Sequence, residues 1–310
     1  MQHQISIREA AAPGDVEAFW AQIAIYFERD IYTDPKLQDK RAFMSDAAYR
    51  AHMQRIHDRP QDRCYYLFFC RDGRDIGFAM PVIYTSEDGK CFIAEFCVYP
   101  AFRGQGTGRA CATALLDWAA AHGARYAELG YGNDDRRRRF WKSVGFVENG
   151  VDEWGEPLLL LPPDATVPIT VAVLPDPGSW QLKKLENSFF TAIGEPILTD
   201  ERAERLRQAI RDGRITFFVA ARGYRYVGMC SVSTCFSTFG CTDIGLLEDF
   251  YIEPAFRKQG VARQLAAAAQ AWSRARGLTS LTVCCAPCDE GLYRALGFEV
   301  RLGATFAHLP

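Results

Sequence analysis

Residues 99–123 and 253–277 are one segment written twice, and nothing else in the chain limits its fold as tightly. Tyr99-Pro-Ala-Phe-Arg103-Gly-Gln-Gly106-Thr-Gly108-Arg109 returns as Glu253-Pro-Ala-Phe-Arg257-Lys-Gln-Gly260-Val-Ala262-Arg263. The match continues at Ala112/Ala266, Ala114/Ala268, Trp118/Trp272 and Gly123/Gly277, always at the same offset, which is about half of the 310-residue chain. A repeat this long excludes a solenoid and leaves two copies of one domain. Each half is long enough to build its own core.

Both copies have the layout of an anion-binding turn. An apolar strand (Phe92 to Val98; Leu246 to Ile252) runs into a Pro-containing turn, a Gly-rich loop and then a helix. The helices are expected to bury Cys111, Ala114, Leu115 and Trp118 in the first copy, and Leu265, Ala268, Ala269 and Trp272 in the second, at i, i+3, i+4, i+7 spacing. Small residues at Gly104, Gly106, Gly108, Gly260 and Ala262 admit a ligand close to backbone. Free amides at a helix N-terminus favour negative charge there, and Arg103, Arg109, Arg257 and Arg263 add to it. Phosphate or pyrophosphate is the natural guest. No GxxxxGK[ST] is present, and the loop does not fit the GxGxxG spacing of a dinucleotide fold.

Arg103-x-x-Gly106-x-Gly108 and Arg257-x-x-Gly260-x-Ala262 resemble the pyrophosphate-binding motif of the GNAT superfamily of acetyl-coenzyme A-dependent N-acetyltransferases. A second family signature, an aromatic before Gly-Phe, also occurs twice, as Phe140-Trp141-Lys-Ser-Val-Gly145-Phe146 and Leu292-Tyr293-Arg-Ala-Leu-Gly297-Phe298. The resemblance implies an α/β (α+β) fold of two tandem domains, each a mixed central sheet flanked by helices. Their expected bounds are 1–163 and 168–310, with Leu161-Pro162-Pro163-Asp164 as linker. It further implies acetyl-coenzyme A as co-substrate. The contact residues would be Arg103, Gly104, Gln105, Gly106, Thr107, Gly108 and Arg109 after Val98, and Arg257, Lys258, Gln259, Gly260, Val261, Ala262 and Arg263 after Phe250 and Ile252. Ile252 would pair with the pantetheine arm.

The copies differ in chemistry. A lysine-type amine with pKa near 10.4 is neutral in only roughly one part in 2,500 at pH 7, so acetyl transfer gains from a base. The departing thiolate gains from an acid. Tyr293 has a proton to give, whereas the indole N–H of Trp141 donates a hydrogen bond without releasing its proton. Leu247-Glu248-Asp249-Phe250-Tyr251-Ile252, preceded by Phe236-Ser-Thr-Phe239, is similar to the polyamine acetyltransferase branch of the superfamily, which implies Glu248 as base and Tyr293 as acid. Strand alternation places Glu248 and Phe250 on one face and Asp249 on the other. Ala94 and Glu95 stand at the matching places of the first half. The second half is therefore expected to be catalytic and the first a degenerate copy. An active first half with Glu95 as base, and a non-catalytic acyl-coenzyme A sensor, are the alternatives.

The remaining features narrow the setting. A net charge of −2 offers no basic stripe for nucleic acid. No apolar run spans a membrane and the N-terminus lacks a signal pattern, so a cytoplasmic enzyme acting on a small-molecule amine is expected. The 11 cysteines read as reduced thiols. Cys285-Ala-Pro-Cys288 has no second pair or nearby His to complete a metal site, and the five histidines, His3, His52, His57, His122 and His308, show no ligand spacing. Arg136 to Arg139 follow Asp134-Asp135 and read either as an exposed helix face or as a contact to the 3′-phosphate of coenzyme A.

Overall fold

The computed structural model describes residues 5–32, 47–132, 134–152, 154–238 and 240–303. Two sheets organise them, one of seven strands and one of five. The chain divides into two compact units, Met1–Glu148 with Pro157–Pro162, and Asn149–Glu156 with Pro163–Pro310.

The seven-stranded sheet comprises β1 (Ser6–Glu9), β2 (Leu67–Arg71), β3 (Arg74–Tyr84), β4 (Lys90–Val98), β5 (Tyr126–Gly130), β6 (Val147–Val151) and β7 (Pro157–Leu161), in the order β1-β2-β3-β4-β5-β7-β6. The hairpin between β2 and β3 turns at Asp72 and Gly73, both at positive φ, as a two-residue primed turn requires. One face of the sheet is closed by α1 (Pro13–Tyr26), which runs on as a π-helical turn over Phe27–Ile31, and by α2 (Ala47–His57). That face is aromatic: Phe19, Trp20, Tyr26, Tyr49, Tyr66 and Phe78 lie within one buried cluster. Against the other face pack α3 (Thr107–Ala121) and α4 (Asp135–Val144), through Cys111, Ala112, Leu115 and Trp141.

The second unit repeats the plan with β8 (Ile169–Val173), α5 (Trp180–Ile193), α6 (Asp200–Arg211), β9 (Ile215–Arg222), β10 (Arg225–Ser237), β11 (Thr242–Ile252), α7 (Val261–Ala275), β12 (Leu281–Val283) and α8 (Glu290–Ala295). Its sheet order is β12-β11-β10-β9-β8. Leu182 and Leu185 of α5 pack on Phe217, Val219, Met229 and Tyr251. Leu265, Ala266 and Ala269 of α7 are buried, while Ala268 and Trp272 are only partly so.

One feature common to both sheets prepares a site. β4 pairs in parallel with β5 for three residues only, Lys90–Phe92 with Tyr126–Glu128. β11 does the same with β12, Gly245–Leu247 with Leu281–Val283. Beyond these pairs the first strand of each couple runs on toward the Gly-rich turn paired only with β3 or β10, leaving the backbone groups on its other edge open to a ligand.

The segment after Val144 contains two strands, β6 and β7, beyond those expected from the sequence. α1 is α-helical only to Tyr26, where the π-helical turn takes over. Phe239, His3 and His308 lie outside the described residues.

Candidate active site

Each Gly-rich turn forms an uncapped helix start. In the first unit Pro100–Phe102 make a short 3₁₀ turn, then Gly104, Gln105 and Gly106 take φ of 90°, 48° and 80° before α3 begins. In the second, Pro254–Phe256 are followed by Lys258 at 61° and Gly260 at 82° before α7. Space is open where a Cβ would stand at Gly104, Gly106 and Gly260. A Cβ on Gly108 would lie 3.1 Å from the Phe140 ring, so that glycine serves helix packing. Neither α3 nor α7 has a side-chain cap. Thr107 N–H donates to the Gly104 carbonyl at 3.0 Å, whereas among the described residues the amides of Gly108 and Arg109 in α3 and of Val261 to Arg263 in α7 have no such oxygen, the condition under which an anion binds.

The arginines that open the two motifs turn back to the strand. Arg103 donates through Nε to the Val98 carbonyl at 2.7 Å, and its Nη atoms pair with Asp30. Arg257 donates through Nε to the Ile252 carbonyl at 3.0 Å, and its guanidinium lies 5.9 Å from the Tyr251 ring centroid. In both units the Nε bond ties the arginine to the end of the preceding strand. Arg109 and Arg263, by contrast, are exposed on the first turns of α3 and α7. Lys258 and Gln259 are exposed on the turn itself, and Gln259 accepts from Arg222 Nη2 at 2.9 Å. Thr107 and Val261 are buried beneath the helix starts, and Ala262 is half-buried beside the latter.

Alternation fails on β11. Met229 opposes Tyr251 and Ser231 opposes Glu248, so β11 carries an extra residue there, and Asp249 takes φ of 50°. Such a bulge offsets the face pattern by one. Asp249 accepts from Ser231 Oγ at 2.7 Å, and Glu248 from Ser233 Oγ at 3.0 Å. Both carboxylates therefore face the same way, toward α5, contrary to the expected split. Phe250 faces the opposite side, against Tyr293 with ring centroids 6.0 Å apart.

Burial sets the acidity of the groups around the bulge. It raises the Asp249 carboxyl, with Glu248 nearby adding to the effect. Glu186 on α5 went unnoticed in the sequence because an acidic residue within an amphipathic helix reads as solvent-facing. It is buried, its Oε1 has no partner among the described residues, and burial followed by the charge of Asp249 pushes it up to about 8. The Tyr293 hydroxyl is pushed up to about 12, again by burial first. In the first unit Trp141 fills the same slot, 5.0 Å from Phe96. Glu95, buried on the α1 and α2 face, is pushed up to about 8, and the Tyr49 hydroxyl donates to it at 3.5 Å.

The sequence model of the acetyltransferase (GNAT) family matches residues 26–146 and again residues 180–298. The chain belongs to this family. Its two GNAT domains make it an N-acetyltransferase with a tandemly duplicated fold, and the family uses acetyl-coenzyme A. It is 30 % identical over 118 residues to an aminoglycoside N(6′)-acetyltransferase type 1 of Stenotrophomonas maltophilia, spanning 36 % of this chain and 77 % of that one. It is 33 % identical over 114 residues to the corresponding enzyme of Salmonella typhimurium, spanning 35 % and 70 %. Among solved structures, glucosamine-6-phosphate N-acetyltransferase from Arabidopsis thaliana superposes with a TM-score of 0.39 at 14 % identity, over 46 % of this chain and 99 % of that chain. An aminoglycoside acetyltransferase from an uncultured soil metagenomic sample gives 0.41 at 14 %, over 46 % and 95 %.

The remaining motifs have structural explanations. Asp134 caps α4, accepting from the Arg136 and Arg137 amides, and Arg138 pairs with Asp135 at 2.8 Å and Glu148 at 3.5 Å. All the cysteines are free thiols, Cys285 and Cys288 included, and among the described residues no group of His, Cys, Asp and Glu could hold a metal ion. No described helix is long and apolar enough to cross a membrane.

Proposed function

We propose that the second unit carries the acetyltransferase centre, moving the acetyl group of acetyl-coenzyme A directly to a primary amine of a small molecule. One observation carries this reading. The bulge at Asp249 turns two carboxylates toward one face of the strand that feeds the uncapped N-terminus of α7, while Tyr293 packs on the other face. The first unit has Ala94 in place of Glu248, Trp141 in place of Tyr293, and an Arg103 neutralised by Asp30.

The residues fit the donor in two respects. The open space at Gly260 and the free amides at the start of α7 suit a pyrophosphate. The edge of β11 that faces away from β10, open from Phe250 to Ile252 beyond its pairing with β12, offers backbone groups to an amide-bearing arm. Acetyl-coenzyme A supplies the activated acyl group. Glu248, exposed and held by Ser233, takes the proton of the acceptor ammonium, directly or through water. Asp249 and Glu186 crowd two further carboxyl groups behind it, both raised by burial, and a cationic acceptor at this face would draw them toward ionisation. The Tyr293 hydroxyl, far from ionised at neutral pH, offers a hydrogen bond and then a proton to the departing sulfur. The names of the aminoglycoside-modifying relatives accord with a multiply charged small amine as acceptor.

A second reading rests on Glu95, which burial holds near 8 beside Tyr49 and which would give the first unit a base of its own. A matched pair of variants decides between them. Arg263→Asp and Arg109→Asp each reverse an exposed charge on the first helical turn, where an acidic residue is compatible with the helix dipole. Acetyl-coenzyme A binding by calorimetry should fall at least roughly tenfold in Arg263→Asp and stay near the wild-type value in Arg109→Asp. The opposite result moves the centre to the first unit.

A further inference from the structure

We propose that Arg222 is the buried cation beneath the anion cradle of the second unit, a positioning residue that acts on the ligand through Gln259. The inference rests on the reading that the turn at 257–262 holds the pyrophosphate of the donor.

Arg222 ends β9 and is 9 % exposed. Its Nη2 donates to Gln259 Oε1 at 2.9 Å, and its guanidinium carbon stands 5.3 Å from the centroid of the Phe256 ring. Phe256 and Gln259 bracket the turn immediately before Gly260 and α7. Nε of Arg222 is buried without a partner, and among the described residues no carboxylate pairs with this side chain. A guanidinium does not shed its proton, so the charge stays. A buried charge without a counterion is costly, and a cation–π contact and one neutral acceptor offset only part of that cost.

The neighbouring arginine shows the contrast. Arg225, opposite Arg222 across the turn of the same hairpin, is buried and paired with Glu253 through Nε at 3.1 Å and Nη2 at 2.7 Å. Glu253 opens the turn and Gln259 lies near its end, so the two arginines hold the turn at both ends. Among the described residues one is neutralised by a carboxylate and the other is not. The uncompensated charge sits under the helix start that has no capping side chain, where a bound pyrophosphate would complete it. Gln259 is also tied through Nε2 to the Ala255 carbonyl at 2.9 Å, so the bond from Arg222 fixes the amide from its other end. The first unit keeps half of the device. Arg71 lies 5.6 Å from the Phe102 ring centroid, but among the described residues no hydrogen bond joins it to Gln105.

Calorimetric titration of acetyl-coenzyme A into Arg222→Met, Arg222→Lys and Arg263→Asp tests the assignment, with a melting curve for each. Arg222→Met should bind roughly tenfold more weakly at a near wild-type melting temperature. Arg222→Lys, which keeps the charge, should recover most of the loss. Wild-type affinity in Arg222→Met, or no recovery with Lys, overturns the inference. Should Arg222→Met melt without cooperativity, Gln259→Leu replaces it. This variant cuts the link at an exposed position, and unchanged affinity there is equally fatal. The two layers separate cleanly. If Arg263→Asp leaves binding intact, the cradle itself is misassigned. If Arg263→Asp abolishes binding while Arg222→Met does not affect it, only the role of Arg222 falls.

Discussion

Glu95 and Glu186 are carboxyl groups that folding removes from water without a basic hydrogen-bond partner. Tyr49 donates to Glu95 at 3.5 Å, and Glu186 Oε1 has no partner among the described residues. Both are pushed up to about 8, against an ordinary value of 4.5. A carboxyl raised in the folded state binds more protons folded than unfolded at every pH between those two values. Stability must then fall as pH rises through that window, and it is undiminished only below about 4.5. Glu95→Gln keeps an acceptor for Tyr49 and removes the proton. The variant should match the wild type in acid and exceed it increasingly from pH 5 to pH 8, by at most a few kcal/mol. Melting temperatures measured across that range check this. Parallel curves for the two proteins would show that Glu95 titrates as an ordinary carboxylate. Neither group was recognised as buried from the sequence, because a single Glu in a strand or helix carries no sign of which face tertiary packing will choose.

At the scale of elements, much was written in local pattern. The Gly-rich turns, the hairpin at Asp72-Gly73 and the helix after Asp134 each have local signals that suffice, namely positive-φ residues or a capping carboxylate. The strands β6 and β7 escaped notice. Val147-Glu-Asn-Gly-Val151 has no clear alternation, and Pro157-Leu-Leu-Leu-Leu161 is a short apolar run that periodicity alone cannot assign. The bulge on β11 was also invisible, and it matters most, since it decides where Glu248 and Asp249 point. Its one sequence mark is an aspartate where the backbone takes φ of 50°, a conformation that Asp and Asn tolerate and β-branched residues do not. Asp249→Asn should therefore preserve the bulge, while Asp249→Val should destabilise the second unit by about 1–3 kcal/mol. Urea unfolding of the two variants measures the difference. Equal midpoints would mean that the left-handed residue is not what holds the strand in this form.

For the whole molecule, duplication gives two cradles, but the parts that complete a transfer site are gathered unequally. Residue for residue, Phe96 and Trp141 correspond to Phe250 and Tyr293, and the aromatic contact is kept in both units. The packing role of that slot is thus shared, and only the second unit adds a hydroxyl to it. Similarly, Arg103 and Arg257 make the same bond to the end of the preceding strand, yet Asp30 neutralises one of them alone. Selection for a fold would keep what is common to the two units. Selection for chemistry would keep what differs. If the differences mark the working centre, acetyl-coenzyme A should bind with a stoichiometry near one per chain, and hydrogen exchange should slow on binding at the amides of 257–264 while those of 103–110 exchange as before. Protection of both turns at a stoichiometry near two would show that the first unit has kept its ligand despite losing Glu248 and Tyr293 equivalents. The divergence of the copies would then lie in the transfer step alone, with donor binding common to both.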